Sequence, residues 1–200
     1  MILALDAATS TVVVGLANPD GAILAERKLP GARGDVIPAA VRELLADTSR
    51  GMDQVTEIVC GVGPGSFTGI RIALAFAHGA AFARHLPLVG VSSLRAVACH
   101  PDLAGSDPLV LLDALRGEAY LRDGDAPDRR ATLEELGSLM EGRCVVAEGK
   151  PDFLARMPDG FRPIAACVSV AGLVALRGSG GAPLPNYLRA SAPEEMRAGK

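Results

Sequence analysis

A glycine-rich turn between a short apolar strand and a long apolar helix is the strongest constraint on how this chain folds. Residues 57–60 are predicted to form the strand, four glycines and Pro64 lie within residues 61–69, and residues 72–83 contain no Asp, Glu, Lys or Arg. Glycine folds the backbone sharply, and the free N–H groups of a helix start point at whatever lies in front of them. The segment therefore predicts a strand-turn-helix unit at which an anion or a partner's backbone could bind.

Two phosphate-binding motifs can be tested against this turn. A P-loop requires Lys and then Ser or Thr after its last glycine, whereas Ile70 follows Gly69. The dinucleotide-binding motif requires Gly-x-Gly-x-x-Gly after a first strand, and Gly63, Gly65 and Gly69 are spaced differently. Spacing alone leaves two interpretations open, a ligand-binding turn or a tight connection required by packing.

The order of the predicted elements indicates an α/β protein with two lobes. Apolar runs and turn residues predict strands at 2–5, 11–16, 23–29, 57–60 and 88–91, with helices at 36–46 and after the glycine turn. This βββαβαβ order is typical of a ribonuclease-H-like unit. A second, shortened unit is predicted to begin near Leu109, with strands at 110–112, 118–121 and 144–147 and a capping box of Thr132 and Glu135 before a helix that runs through Met140. We expect a first lobe at 1–100, a second at 101–189 and a disordered polar tail at 190–200.

Composition limits the classes of function. With 49% hydrophobic and 22% charged residues, the 200-residue chain can bury a sizeable core. The net charge of −3 and the 4% aromatic content disfavour tight RNA binding by this chain alone. Its four cysteines form no Cys-x-x-Cys pair and are interpreted as reduced core residues. Without a signal peptide or a membrane-length apolar run, we expect a cytoplasmic protein.

Residues 63–72, with the sequence Gly-Pro-Gly-Ser-Phe-Thr-Gly-Ile-Arg-Ile, resemble the signature of the TsaB (YeaZ) family. Weaker matches at 2–9, 90–94, 113–120 and 185–189 extend the resemblance over nearly the whole chain. The motif residues are Gly63, Pro64, Gly65, Ser66, Phe67, Thr68, Gly69 and Arg71. The resemblance implies an actin-like, ribonuclease-H-like fold with two lobes, that of the ASKHA superfamily.

The same resemblance implies a function. TsaB-like proteins are non-catalytic subunits that bind and activate a TsaD-like partner for threonylcarbamoylation of the adenosine 3′ to the anticodon in ANN-reading tRNAs. No cofactor of its own is implied, since ATP and metal belong to the partner subunit. A TsaE-like ATPase and, through the complex, tRNA are further implied partners. Two alternatives stay open: an autonomous small-molecule kinase or ATPase of the same superfamily, and a structural homodimer.

The long helix is the predicted partner interface, because it is apolar nearly all round. Ala73, Ala77 and Ala80 form a small-residue stripe that would let a second helix approach closely. The alternative is a helix covered by the second lobe. The predicted interface residues are Phe67, Ile70, Arg71, Ala73, Leu74, Ala77 and His78; Arg71 would pair with an acid of the partner or cap a nearby carbonyl.

Two acids are candidates for nucleotide binding. Asp6 ends the first strand, where the superfamily positions magnesium and phosphate, and Asp113 lies at the corresponding place in the second lobe. The alternative for Asp6 is a cap of the next turn. No metal site is predicted, since His78 and His85 are seven residues apart and too distant to chelate one ion.

Departures from the family pattern concern Ala73, Leu115 and the loop near Asp35. Ala73 replaces the usual glycine, Leu115 replaces the usual arginine, and the loop near Asp35 is short and lacks a histidine common in relatives.

Overall fold

The first lobe is a five-stranded sheet covered by helices. The structure is a computed structural model and describes residues 1–157 and 167–188, so the predicted tail at 190–200 lies outside the described residues. The strands are β1 (Ile2–Asp6), β2 (Thr11–Ala17), β3 (Ile23–Pro30), β4 (Glu57–Gly61) and β5 (Leu88–Val91). Their order is β3-β2-β1-β4-β5, with β1, β2 and β3 antiparallel and β4 and β5 parallel to β1. The predicted βββαβαβ unit is confirmed.

Helices α1 (Ile37–Asp47) and α2 (Phe67–Arg84) cover one face of this sheet. Every residue of β1 is buried, and its side chains alternate between the two faces. Leu3 and Leu5 contact the core that includes α1 and α2, while Ile2 and Ala4 belong to the core on the opposite face. The central strands are therefore apolar because both faces of the sheet are covered.

The second lobe repeats the first in shortened form. Its strands are β6 (Leu109–Asp113), β7 (Glu118–Asp123), β8 (Arg129–Thr132) and β9 (Val145–Glu148), in the order β8-β7-β6-β9. The helices α4 (Leu133–Met140) and α5 (Pro151–Leu154) close its outer core. The predicted capping box is confirmed, since Thr132 Oγ1 accepts from the Glu135 N–H and the Glu135 carboxylate accepts from the Thr132 N–H. Strand β8, which was not predicted, adds an edge to the sheet.

Two short helices, α3 (Ser93–Ala98) and α6 (Val170–Ala175), lie between the lobes. Both belong to a core that joins Val13 and Val59 of the first sheet to Val110 and Val146 of the second. Helix α6 follows the second lobe in sequence yet packs on β1, β2 and β4 of the first. The division at residue 100 stays a prediction, but the two lobes share one of their cores.

After α6 the chain returns across the first lobe as a segment that we call the C-terminal strap, residues 181–188. Gly181 pairs with Gly90 of β5, and the Asn186 N–H donates to the Val62 carbonyl at 2.8 Å. The strap therefore lies beside the glycine-rich turn and the start of α2. In the described part of the chain, no helix combines the length and the hydrophobicity that a membrane span requires.

Candidate functional site

The glycine-rich turn packs directly against the β1–β2 turn of its own lobe. Gly63 and Gly65 have φ angles of +92° and +154°, which favour glycine. A Cβ at Gly65 would lie 2.1 Å from the Ala8 carbonyl oxygen, and one at Gly69 would lie 1.9 Å from the Ala7 carbonyl oxygen. The glycines are thus required because two backbone segments approach closely.

Two N–H groups at the start of α2, those of Ser66 and Gly69, find partners within the protein. Ser66 caps the helix, since its Oγ accepts from the Gly69 N–H at 3.2 Å, and the Ser66 N–H donates to the Ala8 carbonyl at 2.7 Å. The Gly63 N–H donates to Ser93 Oγ at 3.0 Å. The geometry supports the packing interpretation of the turn over the ligand-binding one.

Asp6 is the buried centre of this arrangement. Its Oδ1 accepts from the Ala8 N–H at 2.8 Å, and its Oδ2 accepts from the Ser93 hydroxyl. The side chain has no exposed surface. Burial raises the pKa of Asp6 from 3.8 to about 6, against the lowering effect of the hydrogen bonds from Ser93 and Ala8. Asp6 caps the β1–β2 turn and fixes the glycine turn through Ser93, which matches the capping alternative.

The second acid, Asp113, has a similar local role. Its Oδ1 accepts from the Leu115 N–H at 2.7 Å, and its Oδ2 lies 3.5 Å from the Lys150 N–H. Leu115 is 52% exposed and has a φ of +65°. A third acid that the sequence did not indicate, Glu148 at the end of β9, accepts from the Ser10 N–H across the lobes.

Helix α2 has one buried and one exposed face. Four predicted interface residues lie in the core of the first lobe, with 1% exposure at Ile70, 0% at Ala73, 4% at Leu74 and 0% at Ala77. The prediction that the alanine stripe faces a partner is therefore corrected: small residues are needed there because α2 lies close on its own sheet.

The open face of α2 retains three of the predicted interface residues. Arg71 and His78 are exposed and Phe67 is half-buried. A further aromatic residue, Phe82, is 84% exposed and was missed because an apolar helix gives no signal for which face is covered. Thr68 of the motif is exposed as well.

A groove of about 450 Å³ separates α2 from the C-terminal strap. The Phe67 and Tyr187 rings stack with their centroids 4.6 Å apart, and the Arg71 guanidinium lies 5.1 Å from the Phe67 centroid. His78 Nε2 lies 3.0 Å from the Pro183 carbonyl oxygen, which it contacts as an N–H donor. The groove is lined by Phe67, Arg71, Leu74, His78, Pro183, Leu184, Pro185 and Tyr187. The strap residues were missed because a terminal segment rich in Pro and Gly has no periodicity.

A buried ion pair anchors the strap. Arg122 Nη1 lies 3.3 Å from Asp128 Oδ1, with side-chain exposures of 8% and 4%. Asp128 Oδ2 also accepts from the Ser92 hydroxyl at 2.6 Å and from Asn186 Nδ2 at 3.4 Å. This cluster connects the second lobe, the start of α3 and the strap that forms one wall of the groove.

The cysteines do not form a site in the described residues. Cys60 is buried, and burial raises the pKa of its thiol. Cys99 is exposed, so its assignment to the core was wrong. Among residues 1–157 and 167–188, no group of three His, Cys, Asp or Glu side chains is arranged to hold a metal ion.

Comparison with known proteins decides the family. The TsaD family model, described as tRNA N6-adenosine threonylcarbamoyltransferase, matches residues 34–136, just over half of the chain. The chain belongs to this family. Its relatives include TsaB of Escherichia coli, 35% identical over 60% of this chain and 52% of the relative, and TsaB of Bacillus subtilis, 31% identical over 60% and 52%. The match thus spans about half the length of these curated relatives.

The solved structures agree with this family. YeaZ from Pseudomonas aeruginosa superposes with a TM-score of 0.73 at 27% identity, over 94% of this chain and 99% of that one. Together with the two sheets, this match confirms the predicted α/β actin-like fold with two lobes.

Proposed function

We propose that this chain is a non-catalytic subunit that binds and activates a TsaD-like partner in the biosynthesis of threonylcarbamoyladenosine in tRNA. The names of its curated relatives from E. coli and B. subtilis refer to this pathway. The modified base would be the adenosine 3′ to the anticodon of ANN-reading tRNAs. The partner would supply the metal and ATP, and a TsaE-like ATPase and tRNA would join through the complex.

The exposed face of α2 carries this proposal. Phe82 is 84% exposed and Leu184 of the strap is 66% exposed, and the small residues Ala75 and Gly79 of α2 are exposed as well. Large exposed apolar residues around small ones suit close helix packing and are typical of protein interfaces. The partner-facing surface is therefore assigned to the side of α2 opposite the alanine stripe.

The geometry of the two acids supports a subunit without its own chemistry. A nucleotide site of this superfamily would use Asp6, whose carboxylate is buried and bonded to Ala8 and Ser93. The glycine turn packs against the backbone of Ala7 and Ala8 at Gly65 and Gly69, which supports a structural role for these glycines.

A reconstituted reaction tests the proposal. tRNA, ATP, threonine and bicarbonate are incubated with the adenylate-forming enzyme, the TsaD-like protein and the TsaE-like protein of the same organism, and modified adenosine is measured with and without this chain. We expect modification to depend on this chain and to fall with Phe82→Glu. The matched control is Leu115→Ser, which removes an exposed leucine from the second lobe. Equal modification without this chain would contradict the proposal.

Two other outcomes would identify the alternatives. Metal-dependent nucleotide turnover by this chain alone, lost on Asp6→Asn, would indicate an autonomous kinase or ATPase. Sedimentation of a stable homodimer that the TsaD-like protein does not dissociate would indicate a structural homodimer.

A further inference from the structure

The groove between α2 and the C-terminal strap is a preformed site. Its walls are joined by the Phe67–Tyr187 stack and by the contact from His78 to the Pro183 carbonyl. The backbone of Asn186 is bonded to Val62 beside the glycine turn. Because both walls are fixed before binding, a ligand that enters the groove loses little free energy to ordering the protein.

The charge of the groove is positive although the chain as a whole is negative. The 18 residues of α2 include no Asp or Glu but include Arg71 and Arg84, and the strap contains no charged residue. Among the ion pairs of the residues that the structure describes, none involves Arg71, whose guanidinium lies over the Phe67 ring. The net charge of the whole chain is −3.

The remaining lining of the groove is apolar. Leu74 forms its floor with only 4% exposure, and Leu184 rises on the strap with 66% exposure. Pro183 and Pro185 flank it. An occupant that fits has a large apolar side chain for these walls and an anionic group for Arg71.

We propose that this groove receives a segment of the TsaD-like partner in which a carboxylate lies next to a large apolar side chain. The carboxylate pairs with Arg71, and the apolar side chain fills the space between Leu74, Leu184 and Tyr187. This inference rests on the proposed function and names the chemistry of the partner's contact. A nucleic acid fits less well, because phosphate recognition relies on several cations and a single arginine lines the groove.

Affinity measurements test the proposed ion pair between Arg71 and a carboxylate of the partner. The dissociation constant of the TsaD-like protein of the same organism is measured by calorimetry for the wild type, Arg71→Ala and Arg71→Glu. We expect binding about tenfold weaker for Arg71→Ala and at least about a hundredfold weaker for Arg71→Glu, because like charges at an interface repel. The matched control is Arg129→Glu, which makes the same change of charge on an exposed residue of β8 and is expected to bind within about twofold of the wild type.

The proposed contact of an apolar side chain of the partner with Leu184 is tested with Leu184→Ser in the same assay. We expect this variant to bind about tenfold more weakly. Wild-type binding that neither Arg71→Glu nor Leu184→Ser weakens would overturn the inference and leave the proposed function standing. Failure of the wild type to bind the TsaD-like protein would overturn both.

Cross-linking locates the contact directly. A zero-length carbodiimide joins an amine to a carboxylate, so Arg71→Lys places a reactive amine in the groove. Mass spectrometry is expected to find a link from position 71 to an Asp or Glu of the partner that neighbours a large apolar residue. Arg129→Lys is the control and is expected to give no link to the partner. A stable complex without any link from position 71 would contradict the inference.

Discussion

The stability of this protein is predicted to depend on pH through Asp6. The carboxylate is fully buried between the β1–β2 turn and Ser93, and burial raises its pKa from 3.8 to about 6. At 1.36 kcal/mol for each pKa unit, this rise corresponds to about 3 kcal/mol. The substitution Asp6→Asn removes the charge while it keeps the size of the side chain.

The sign follows from proton linkage. Because the pKa of Asp6 is higher in the folded state than in the unfolded state, the folded protein holds the proton more tightly. The stabilisation is fully present below about pH 4 and is lost as the pH rises through 6. At neutral pH the ionised carboxylate therefore lowers the free energy of unfolding by about 3 kcal/mol, a large part of the roughly 5 to 15 kcal/mol typical of a folded domain.

The assay is urea unfolding at a series of pH values from 4 to 7.5, for the wild type and Asp6→Asn. Other carboxylates titrate in both proteins, so the informative quantity is the difference between the two free energies of unfolding at each pH. We expect this difference to shift by about 2.4 kcal/mol in favour of Asp6→Asn between pH 4 and pH 7, because a small part of the effect is already present at pH 4. Asp125→Asn changes a fully exposed carboxylate and is expected to follow the pH dependence of the wild type. A difference between wild type and Asp6→Asn that stays constant with pH would refute the reasoning.

Three further substitutions, two of them paired with a control variant, test the packing. Ala77→Asp places a carboxylate at a position with 0% exposure and is expected to lower the unfolding free energy by at least about 3 kcal/mol in a thermal melt, whereas Ala75→Asp on the open face should fold normally and weaken binding of the TsaD-like protein. Gly61→Ala would place its Cβ 1.7 Å from Oδ2 of the buried Asp6 and should lower the melting temperature. A Cβ at Gly79 would meet no atom within 4 Å, so the control Gly79→Ala should raise the free energy of unfolding by about 0.5 to 1 kcal/mol. Asp128→Ala leaves a buried guanidinium unpaired and is expected to cost about 3 to 5 kcal/mol in urea unfolding; a loss below 1 kcal/mol would contradict the importance of this ion pair.

The strands of both lobes could be predicted where apolar runs are bounded by turn residues, and β8 shows where this signal fails. It is an edge strand of Arg-Arg-Ala-Thr in which only Ala131 is buried, so it has almost no hydrophobic pattern. The sequence also did not predict helix α6, for a different reason. Its short apolar sequence fits a strand or a helix equally well; the helix is capped by Ser169, whose Oγ accepts from the Gly172 N–H at 3.1 Å.

The candidate site could be located from sequence but its open surface could not. The family motif marks the start of α2, yet α2 is apolar on all sides, and periodicity cannot tell which side contacts the sheet. Ala77 faces the sheet and Phe82 faces away from it. The groove escaped prediction because Tyr187 reaches Phe67 from the other end of the chain, and such a contact between distant residues leaves no local pattern.

The position of α6 has a consequence for synthesis on the ribosome. The strands of the first sheet are complete when β5 ends, but α6, which covers one face of that sheet, is made roughly 80 residues later. At about 5 to 20 residues per second, the nascent chain spends roughly 4 to 16 s with this face uncovered. Val13 and Val59, both fully buried in the finished protein, contact water or a chaperone during that interval. The first lobe therefore reaches its native packing only after α6 has left the exit tunnel.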